Sequence, residues 1–222
     1  MTGEPEWWRA QQPTAVVPAG WGWGRNQGLT GSYRGALPGA EEPEGGDDAL
    51  RPLHVFRASV ADVAVRLDNA HLAVAWSEFD GCHFRQRTGP VRNSHGDTAQ
   101  GSFGNKPSIY RGCTFERVRF KLLGGFSLAQ ARFEDCTFLS CRWEGHFAHD
   151  ADLVGCRFVG RMNGCVWFGT GSTVGRAARR NVVEGNDFTQ TRFTTNVGWR
   201  RDFPIADQHW PDDYRPVVDA WL

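Results

Sequence analysis

The stretch ARFED CTFLS CRWEG HFAHD ADLVG CRFVG, at residues 131–160, decides the fold because it repeats every five residues. Most units carry a large apolar residue in the third position and a small residue, often Ala or Cys, in the first. A period of five fits neither an amphipathic helix, whose period is 3.6, nor an alternating strand, whose period is two. The stretch therefore predicts a repeat protein, in which each unit packs against its neighbours.

The same phase extends beyond this stretch and predicts the core. The large residues predicted to point inward are Phe115, Phe120, Leu128, Phe133, Phe138, Trp143, Leu153, Phe158, Phe168, Phe188 and Phe193. The small residues predicted to point inward two positions earlier include Cys113, Cys136, Cys141 and Cys156. With Cys82, five of the six cysteines share this position, and only Cys165 does not. That regularity indicates core packing by a small, often buried residue rather than a metal or redox site.

A short extended side followed by a corner explains the period. Residues two apart on an extended segment face the same way, so the large and small residues of a unit both point inward. Four units of five then make one square coil, and successive coils stack as parallel strands. Cys136 and Cys156 are four units apart, and Cys113 joins their column if residues 123–125 are an insertion at a corner.

Two ladders of inward side chains follow from this coil. Phe115, Phe138 and Phe158 form one ladder. Phe168 and Phe188 form part of another. Neighbouring rungs are expected about 4.8 Å apart, the spacing of adjacent strands.

These units resemble those of the pentapeptide repeat family, which read roughly Ala-Asp/Asn-Leu/Phe followed by two polar residues. The resemblance covers about residues 60–195 and is strongest from 113 to 168. It implies an all-β fold, a right-handed quadrilateral parallel β-helix. Arg or Thr replaces the usual Asn or Asp in most units, which leaves the inward pattern intact.

Composition divides the chain into three parts. Residues 1–55 are rich in Gly, Pro and Trp, which predicts an irregular segment that is flexible or docks on the repeat or on a partner. Residues 56–198 form the predicted β-helix, with a loop at 87–108 protruding from a corner. Residues 199–222 leave the repeat and are predicted to form a short cap or a homodimer contact.

Particular residues support the two terminal predictions. The tryptophans of the first segment, which are unusual for a solvated tail, are Trp7, Trp8, Trp21 and Trp23. In the last segment, Pro216 is predicted to open a short helix. The apolar residues expected on one face of that helix are Val217, Val218, Trp221 and Leu222.

Charge and targeting signals narrow the function classes. The 25 Lys and Arg balance the 25 Asp and Glu, but residues 60–200 hold 18 basic and 13 acidic residues, while both ends are acidic. The composition excludes a coiled coil, a collagen-like chain and a strongly charged disordered protein. The N-terminus has no basic-then-apolar signal and no run of 18 apolar residues occurs, so a cytoplasmic protein without membrane contact is expected.

The candidate binding residues are those predicted to point outward. Phe147 and Trp167 are four units apart and are expected on one face of adjacent coils, where they contact either the Trp-rich N-terminal segment or a partner. Leu139 and Val159 are expected together on another face. The predicted basic cluster on a third face, which is either a solvated surface or a binding site, comprises Arg119, Lys121 and Arg142.

Catalytic and cofactor motifs are lacking in the sequence. His146, His149 and Asp150 are adjacent in the text, but the repeat points His146 inward, as a hydrogen-bonded core residue, and the other two outward or into a corner. Arg161 and Asn163 mark a polar break in the stack. The sequence contains no GxSxG, GxGxxG or Walker motif, so no catalytic residue, metal or cofactor is predicted. An enzyme would need a deep cleft between the 87–108 loop and the coil.

The function that follows is a non-catalytic scaffold that binds a protein partner through its flat faces. The family resemblance implies an alternative, in which a β-helix mimics DNA, binds DNA gyrase or topoisomerase, and protects it from inhibitors. Such mimicry needs a negative surface, because DNA presents dense rows of phosphates. The positive balance of residues 60–200 opposes that alternative, and a nucleic-acid partner is not expected either.

Overall fold

The structure is a computed structural model that describes residues 28–41, 51–87, 99–121, 123–171, 179–194 and 196–219. Within these ranges the regular structure is β apart from one 3₁₀ turn, Ile205–Asp207. No helix in the described ranges is long and apolar enough to cross a membrane.

The strands of the described residues are short and follow one another closely. The first eleven are β1 (Leu29–Arg34), β2 (Arg51–Ala61), β3 (Ala64–Arg66), β4 (Ala70–Ala75), β5 (Glu78–Asp80), β6 (His83–Arg85), β7 (Gln100–Ser102), β8 (Ser108–Arg111), β9 (Thr114–Glu116), β10 (Arg119–Lys121) and β11 (Phe126–Ser127). The next ten are β12 (Ala131–Glu134), β13 (Thr137–Glu144), β14 (Phe147–Ala148), β15 (Asp152–Val154), β16 (Arg157–Asn163), β17 (Val166–Phe168), β18 (Val183–Glu184), β19 (Asp187–Phe193), β20 (Gly198–Arg200) and β21 (Val218–Asp219). A sheet of four contains β14, β17, β20 and β21, and the remaining 17 form one long sheet.

Parallel pairing stacks the chain on itself. All pairings between the named strands are parallel, as between β12 and its two neighbours, β8 and β15. Phe133 of β12 faces Tyr110 on one side and Leu153 on the other. A long parallel sheet built from such short strands is compatible with a β-helix.

Four columns of inward residues run through the stack, a column being the residues that face one another on successive strands. The columns are Tyr110–Phe133–Leu153–Val183, Phe84–Phe115–Phe138–Phe158, Phe120–Trp143–Met162–Phe193, and Ala148–Trp167–Trp199. Consecutive five-residue units place their centres in different columns, and the fifth unit returns to the first column. The predicted large inward residues are all buried except Phe193, which is partly buried against the cluster.

Aromatic rings stack along the second column and beyond it. The stack comprises Phe84, Phe115, Phe138, Phe158, Phe188 and Trp210. Neighbouring ring centroids are 4.5 to 5.0 Å apart, as the strand spacing requires. Each stacked pair contributes about 1 kcal/mol to stability, in addition to the contribution from burying its apolar area. Phe188 joins this stack through Phe158, so the predicted ladder of Phe168 and Phe188 is wrong.

Strand β16 is one residue shorter at its corner than the strands on either side. Val159 faces Leu139. The next residue, Gly160, faces Cys141, so Ser140 has no opposite residue. Strand β19 also carries one residue more than β16, between the partners of Arg157 and Val159. Gly160 has φ +130°, and a Cβ there would lie 3.3 Å from the Ser140 Cα, so the short corner requires glycine.

Because β16 lacks one residue, the inward positions that follow Gly160 come one residue earlier in the sequence than the constant period predicts. Met162 and Trp167 are the inward residues where the constant period predicts Asn163 and Phe168. Cys165 is thereby two residues before an inward centre and is fully buried. All six cysteines therefore occupy the small inward position, and the prediction that Cys165 lies outside it is wrong.

The predicted boundaries also shift. Strand β1 and the start of β2 lie inside residues 1–55, so the sheet begins earlier than composition indicates. Strand β7 and the buried Phe103 belong to the predicted loop 87–108, of which residues 88–98 lie outside the described ranges.

At the C-terminal end, Val218 forms part of strand β21, so the helix predicted from Pro216 is wrong there. The predicted residues Trp7, Trp8, Trp21, Trp23, Trp221 and Leu222 lie outside the described ranges.

Candidate binding surface

A column of four arginines runs along the outside of the stack. Arg119 faces Arg142, Arg142 faces Arg161, and Arg161 faces Arg192. Each stands one position before a residue of the third inward column, so its side chain projects from the opposite side of the strand. Neighbouring arginines are about 4.8 Å apart along the column, the strand spacing. We call this column the arginine ladder.

The ladder carries little compensating charge. Arg119 is half-buried and its guanidinium lies 3.4 Å from the Glu144 carboxylate. Arg142, Arg161 and Arg192 are exposed, and no carboxylate of the described residues lies within 4.0 Å of them. Like charges that face each other in a sheet repel, so the ladder concentrates positive charge at a cost to the fold.

An open groove lies at the middle of the ladder, with a volume of about 500 Å³. Its lining residues are Ser140, Cys141, Arg142, Trp143, Glu144, Gly160, Arg161 and Asn163. The guanidinium groups and the Glu144 carboxylate supply its charge. The lining residues belong to β13 and β16, so a ligand in the groove would contact both strands.

Two apolar side chains lie across the corner from the ladder. Leu139 faces Val159, as predicted, and the two form an outward column. Leu139 is 39% exposed and Val159 is half-buried. Arg142 comes only three positions after Leu139, so their Cα atoms are at most about 11 Å apart. An apolar strip therefore borders the arginine ladder.

The predicted pairing of Phe147 with Trp167 is wrong. Phe147 faces Val166, because the short corner at Gly160 has shifted the register by one residue. Trp167 is only 1% exposed and packs 5.3 Å, between ring centroids, from Trp143. A residue that points into the core cannot belong to an outward binding face.

Phe147 instead belongs to a different surface cluster. Its ring stacks on His149 at 5.9 Å, and His149 stacks on Phe168 at 4.2 Å. The Arg201 guanidinium lies 5.6 Å from the Phe168 centroid. Phe147, 39% exposed, is the open end of this cluster.

The predicted basic cluster is present in part. Arg119 and Arg142 are neighbours in the ladder, whereas Lys121 faces Glu144 in the next outward column. The constant period places Arg161 inward, and it gives no prediction for Arg192. The signal that could have found both is an arginine directly before each large residue of one column, as in Arg142–Trp143 and Arg192–Phe193.

A second set of charges, on another outer face, is compensated throughout. It runs Glu78–Arg111–Glu134–Arg132–Asp152–Arg179, with neighbouring nitrogen and oxygen atoms 2.5 to 3.6 Å apart. Arg132 and Asp152 are buried, and Asp152 also accepts a hydrogen bond from the Val182 N–H at 2.8 Å. We call this set the charge chain. Its alternation of sign satisfies charges that burial would otherwise penalise.

His146 is buried as predicted, but the predicted hydrogen bonds are wrong. Its ring lies among Phe120, Trp143 and Trp167, and neither ring nitrogen has a hydrogen-bond partner among the described residues. Burial lowers the pKa of His146 to about 3, because the apolar surroundings disfavour the charged form. His149 is half-buried in the Phe147 cluster, so these histidines do not form a shared catalytic arrangement.

Four of the cysteines form a column inside the core. Cys82, Cys113, Cys136 and Cys156 follow one another along the stack, each one residue before a paired position. All six cysteines are buried and reduced. Burial raises the pKa of the Cys165 thiol to about 11, which keeps it protonated at neutral pH. The described residues contain no group of three or more His, Cys, Asp or Glu able to hold a metal ion.

No family model matches the chain, and no curated protein matches it.

Proposed function

We propose that the chain is a non-catalytic pentapeptide-repeat scaffold that binds a protein partner through its flat outer faces. The observation that carries the proposal is the arginine ladder beside the exposed Leu139 and the half-buried Val159. Arginine and exposed apolar side chains are the residues that protein interfaces favour. Like charges that face each other lower the stability of the fold, whereas an acidic partner would make them favourable.

The proposal includes a right-handed quadrilateral β-helix. Four inward columns visited in turn support four sides per coil. Parallel strands joined by a crossover in one sheet are right-handed in about 98% of cases, which supports the handedness. Flat sides of this kind present residues in straight columns at a fixed spacing, which suits recognition of a regular partner surface.

The non-catalytic part of the proposal is supported by the chemistry of the described side chains. The ladder groove is open, whereas most catalytic pockets enclose their ligand. His146 is held neutral among aromatic rings, and the thiols of the cysteine column are buried. Binding by shape and charge is the function these groups support.

Photo-crosslinking followed by titration tests the proposal. A photo-crosslinking residue at position 139 of the full chain, with position 215 as the control site, captures neighbours in cells of the source organism. The captured protein is then purified and titrated calorimetrically with wild type and with the Leu139→Ser, Val159→Ser double variant. We expect about a tenfold loss of affinity in the folded variant, the effect of removing apolar contacts from an interface. If the affinity of the captured protein changes in no variant of Leu139, Val159, the ladder or Phe147, the proposal is overturned.

DNA mimicry is the weaker alternative, since the ladder is positive where DNA phosphates are negative. A supercoiling assay with DNA gyrase and a quinolone tests it directly. Protection of the enzyme by the full chain would favour mimicry over the present proposal. The homodimer contact through residues 199–222 and the cytoplasmic location stay predictions.

A further inference from the structure

We infer that the arginine ladder binds an acidic α-helix of the partner, whose carboxylates stand at positions i, i+3, i+7 and i+10. The inference rests on the proposed protein-binding function and specifies the partner's chemistry. It starts from the register, which places Arg119, Arg142, Arg161 and Arg192 directly opposite one another.

The spacing of the ladder fits a helix. Three steps of about 4.8 Å place the first and last arginine backbones about 14 Å apart. A helix rises about 1.5 Å per residue, so positions i and i+10 are about 15 Å apart, with intermediate steps of about 4.5 and 6 Å. An extended acidic strand presents same-face residues every 6.6 Å or more, which extends three steps to about 20 Å. The helix therefore matches all four arginines, and the strand does not.

The chemistry of the ladder selects carboxylates. The guanidinium group presents a planar fork of N–H donors that matches a carboxylate, often with two hydrogen bonds. Arg142, Arg161 and Arg192 have no carboxylate of the described residues within 4.0 Å. Bound carboxylates would remove the repulsion between stacked guanidinium groups. The free ladder therefore favours a ligand that carries a row of negative charges.

The apolar residues beside the ladder, Leu139 and Val159, also favour a helical partner. A helix with its side chains is about 10–12 Å across. Leu139 and Val159, which lie across the corner from Arg142 and Arg161, are within reach of such a cylinder. An apolar residue beside the acidic stripe of the helix would cover them, which joins the two surfaces into one site.

Nucleic acid fits the ladder less well. Phosphates of one duplex strand advance about 3.4 Å along the axis per nucleotide, which falls out of step with 4.8 Å. Proteins that bind single strands stack the bases on exposed aromatic side chains. Of the aromatic residues that directly follow ladder arginines in the described structure, Phe120 and Trp143 are buried, and Phe193 is partly buried against the core.

Two synthetic peptides and one oligonucleotide test the inference on the full chain. The first peptide is an Ala-rich helix of about 18 residues, long enough to be helical in water, with Glu at i, i+3, i+7 and i+10. The second has the same composition and helicity, but its four Glu are at every second position, so two lie on one face of the helix and two on the opposite face. The third probe is a single-stranded oligonucleotide with four phosphates. Fluorescence anisotropy measures each affinity at low salt and at about 150 mM salt.

Matched variants connect binding to the ladder. The double variant Arg142→Gln, Arg161→Gln removes its central pair, and Arg34→Gln, Arg215→Gln removes two exposed arginines elsewhere. We expect the first peptide to bind about tenfold tighter than the second, and to lose about tenfold in affinity in the ladder variant only. Circular dichroism and thermal unfolding check that both variants are folded.

The alternative outcomes are distinct. Equal binding of the two peptides overturns the helical register, and tighter ladder-dependent binding of the oligonucleotide overturns the partner class. Failure of all three probes overturns the inference, and the scaffold proposal then depends on the crosslinking result at position 139. A crosslinked partner that keeps its affinity for the ladder variant overturns the inference without overturning the scaffold.

Discussion

The charge chain and the arginine ladder are two charged surfaces of one stack, and they treat charge in opposite ways. In the charge chain every acid has a basic neighbour, and Arg132 and Asp152 are buried. In the ladder, four residues of one sign face each other and three of them are exposed. The first arrangement costs stability when one member is removed, because a buried neighbour loses one of its ion pairs. The arginine ladder lowers stability as long as it is present, because its like charges repel, and such a cost is typical of a binding surface.

The largest expected effect comes from breaking the charge chain at Asp152. Asp152→Asn removes the buried carboxylate that Arg132 and Arg179 share, although Arg132 keeps its ion pair with Glu134. We therefore expect a loss of about 3 kcal/mol in the free energy of unfolding, the low end of the cost of breaking a buried pair. Urea denaturation followed by circular dichroism measures it. The matched control is Arg161→Gln in the ladder, which should change the value by no more than about 0.5 kcal/mol. Equal effects of the two substitutions would remove the distinction between the surfaces.

The next effect concerns the corner that aligns the ladder. Gly160→Ala places a Cβ against Ser140 at φ +130°, where side chains are strained, and we expect a loss of about 2 kcal/mol in the free energy of unfolding. Gly185→Ala is the control, since nothing lies within 4 Å of its added Cβ, although its φ is also positive. Thermal unfolding of both variants compares them. A Gly160→Ala protein no less stable than the control would mean that the short corner does not need glycine.

Acid should act on the interior before it acts on the ladder. His146 has a pKa of about 3 in the folded chain against 6.5 unfolded, so between these values the unfolded state binds more protons. Its contribution to stability is present above pH 6.5 and falls by about 1.4 kcal/mol per pH unit as the pH drops below that. His146→Leu, an apolar replacement of similar volume, should remove this part of the pH dependence between pH 7 and 5. The same slope in both proteins would assign the acid sensitivity to other groups.

The smallest expected effect is a gain from removing the ladder. Arg142→Gln and Arg161→Gln together should leave stability unchanged or raise it by about 0.5 kcal/mol, because like charges no longer face each other. Salt at about 0.5 M should narrow the difference from wild type by screening that repulsion. Chemical denaturation at low and high salt measures both values. A clear loss of stability in the double variant would mean that the ladder is structural and is compensated within the fold.

The core could be predicted from the sequence because its cause is local. A large residue such as Phe138 and a small one such as Cys136 recur at a spacing that only a short side and a corner explain, and both are buried. The pairing of Leu139 with Val159 followed from the same count. Half of the ladder, Arg119 and Arg142, was also within reach of the sequence.

The part of the site that the sequence did not predict depends on one residue that β16 lacks relative to its neighbouring strands. Gly160 shortens its corner, which exchanges Phe168 for Trp167 in the core and turns Arg161 outward. A constant period cannot show this, because strand pairing selects the register that buries the most apolar area. The unit Cys165-Val166-Trp167 repeats the pattern of small and large residues one position early, and is the sequence signal of the shift.

The sequence by itself determined that this chain is a stack of five-residue units with Phe, Trp and Cys inside, because a period that matches no single helix or strand leaves few other arrangements. Tertiary structure decided which outward residues meet beyond the shortened strand at Gly160. Strand-to-strand register is a long-range property, set by burial on neighbouring strands, and a slip of one residue exchanges inner and outer faces. That slip brings Arg161 between Arg142 and Arg192, and so makes a ladder from arginines that are distant from one another along the chain.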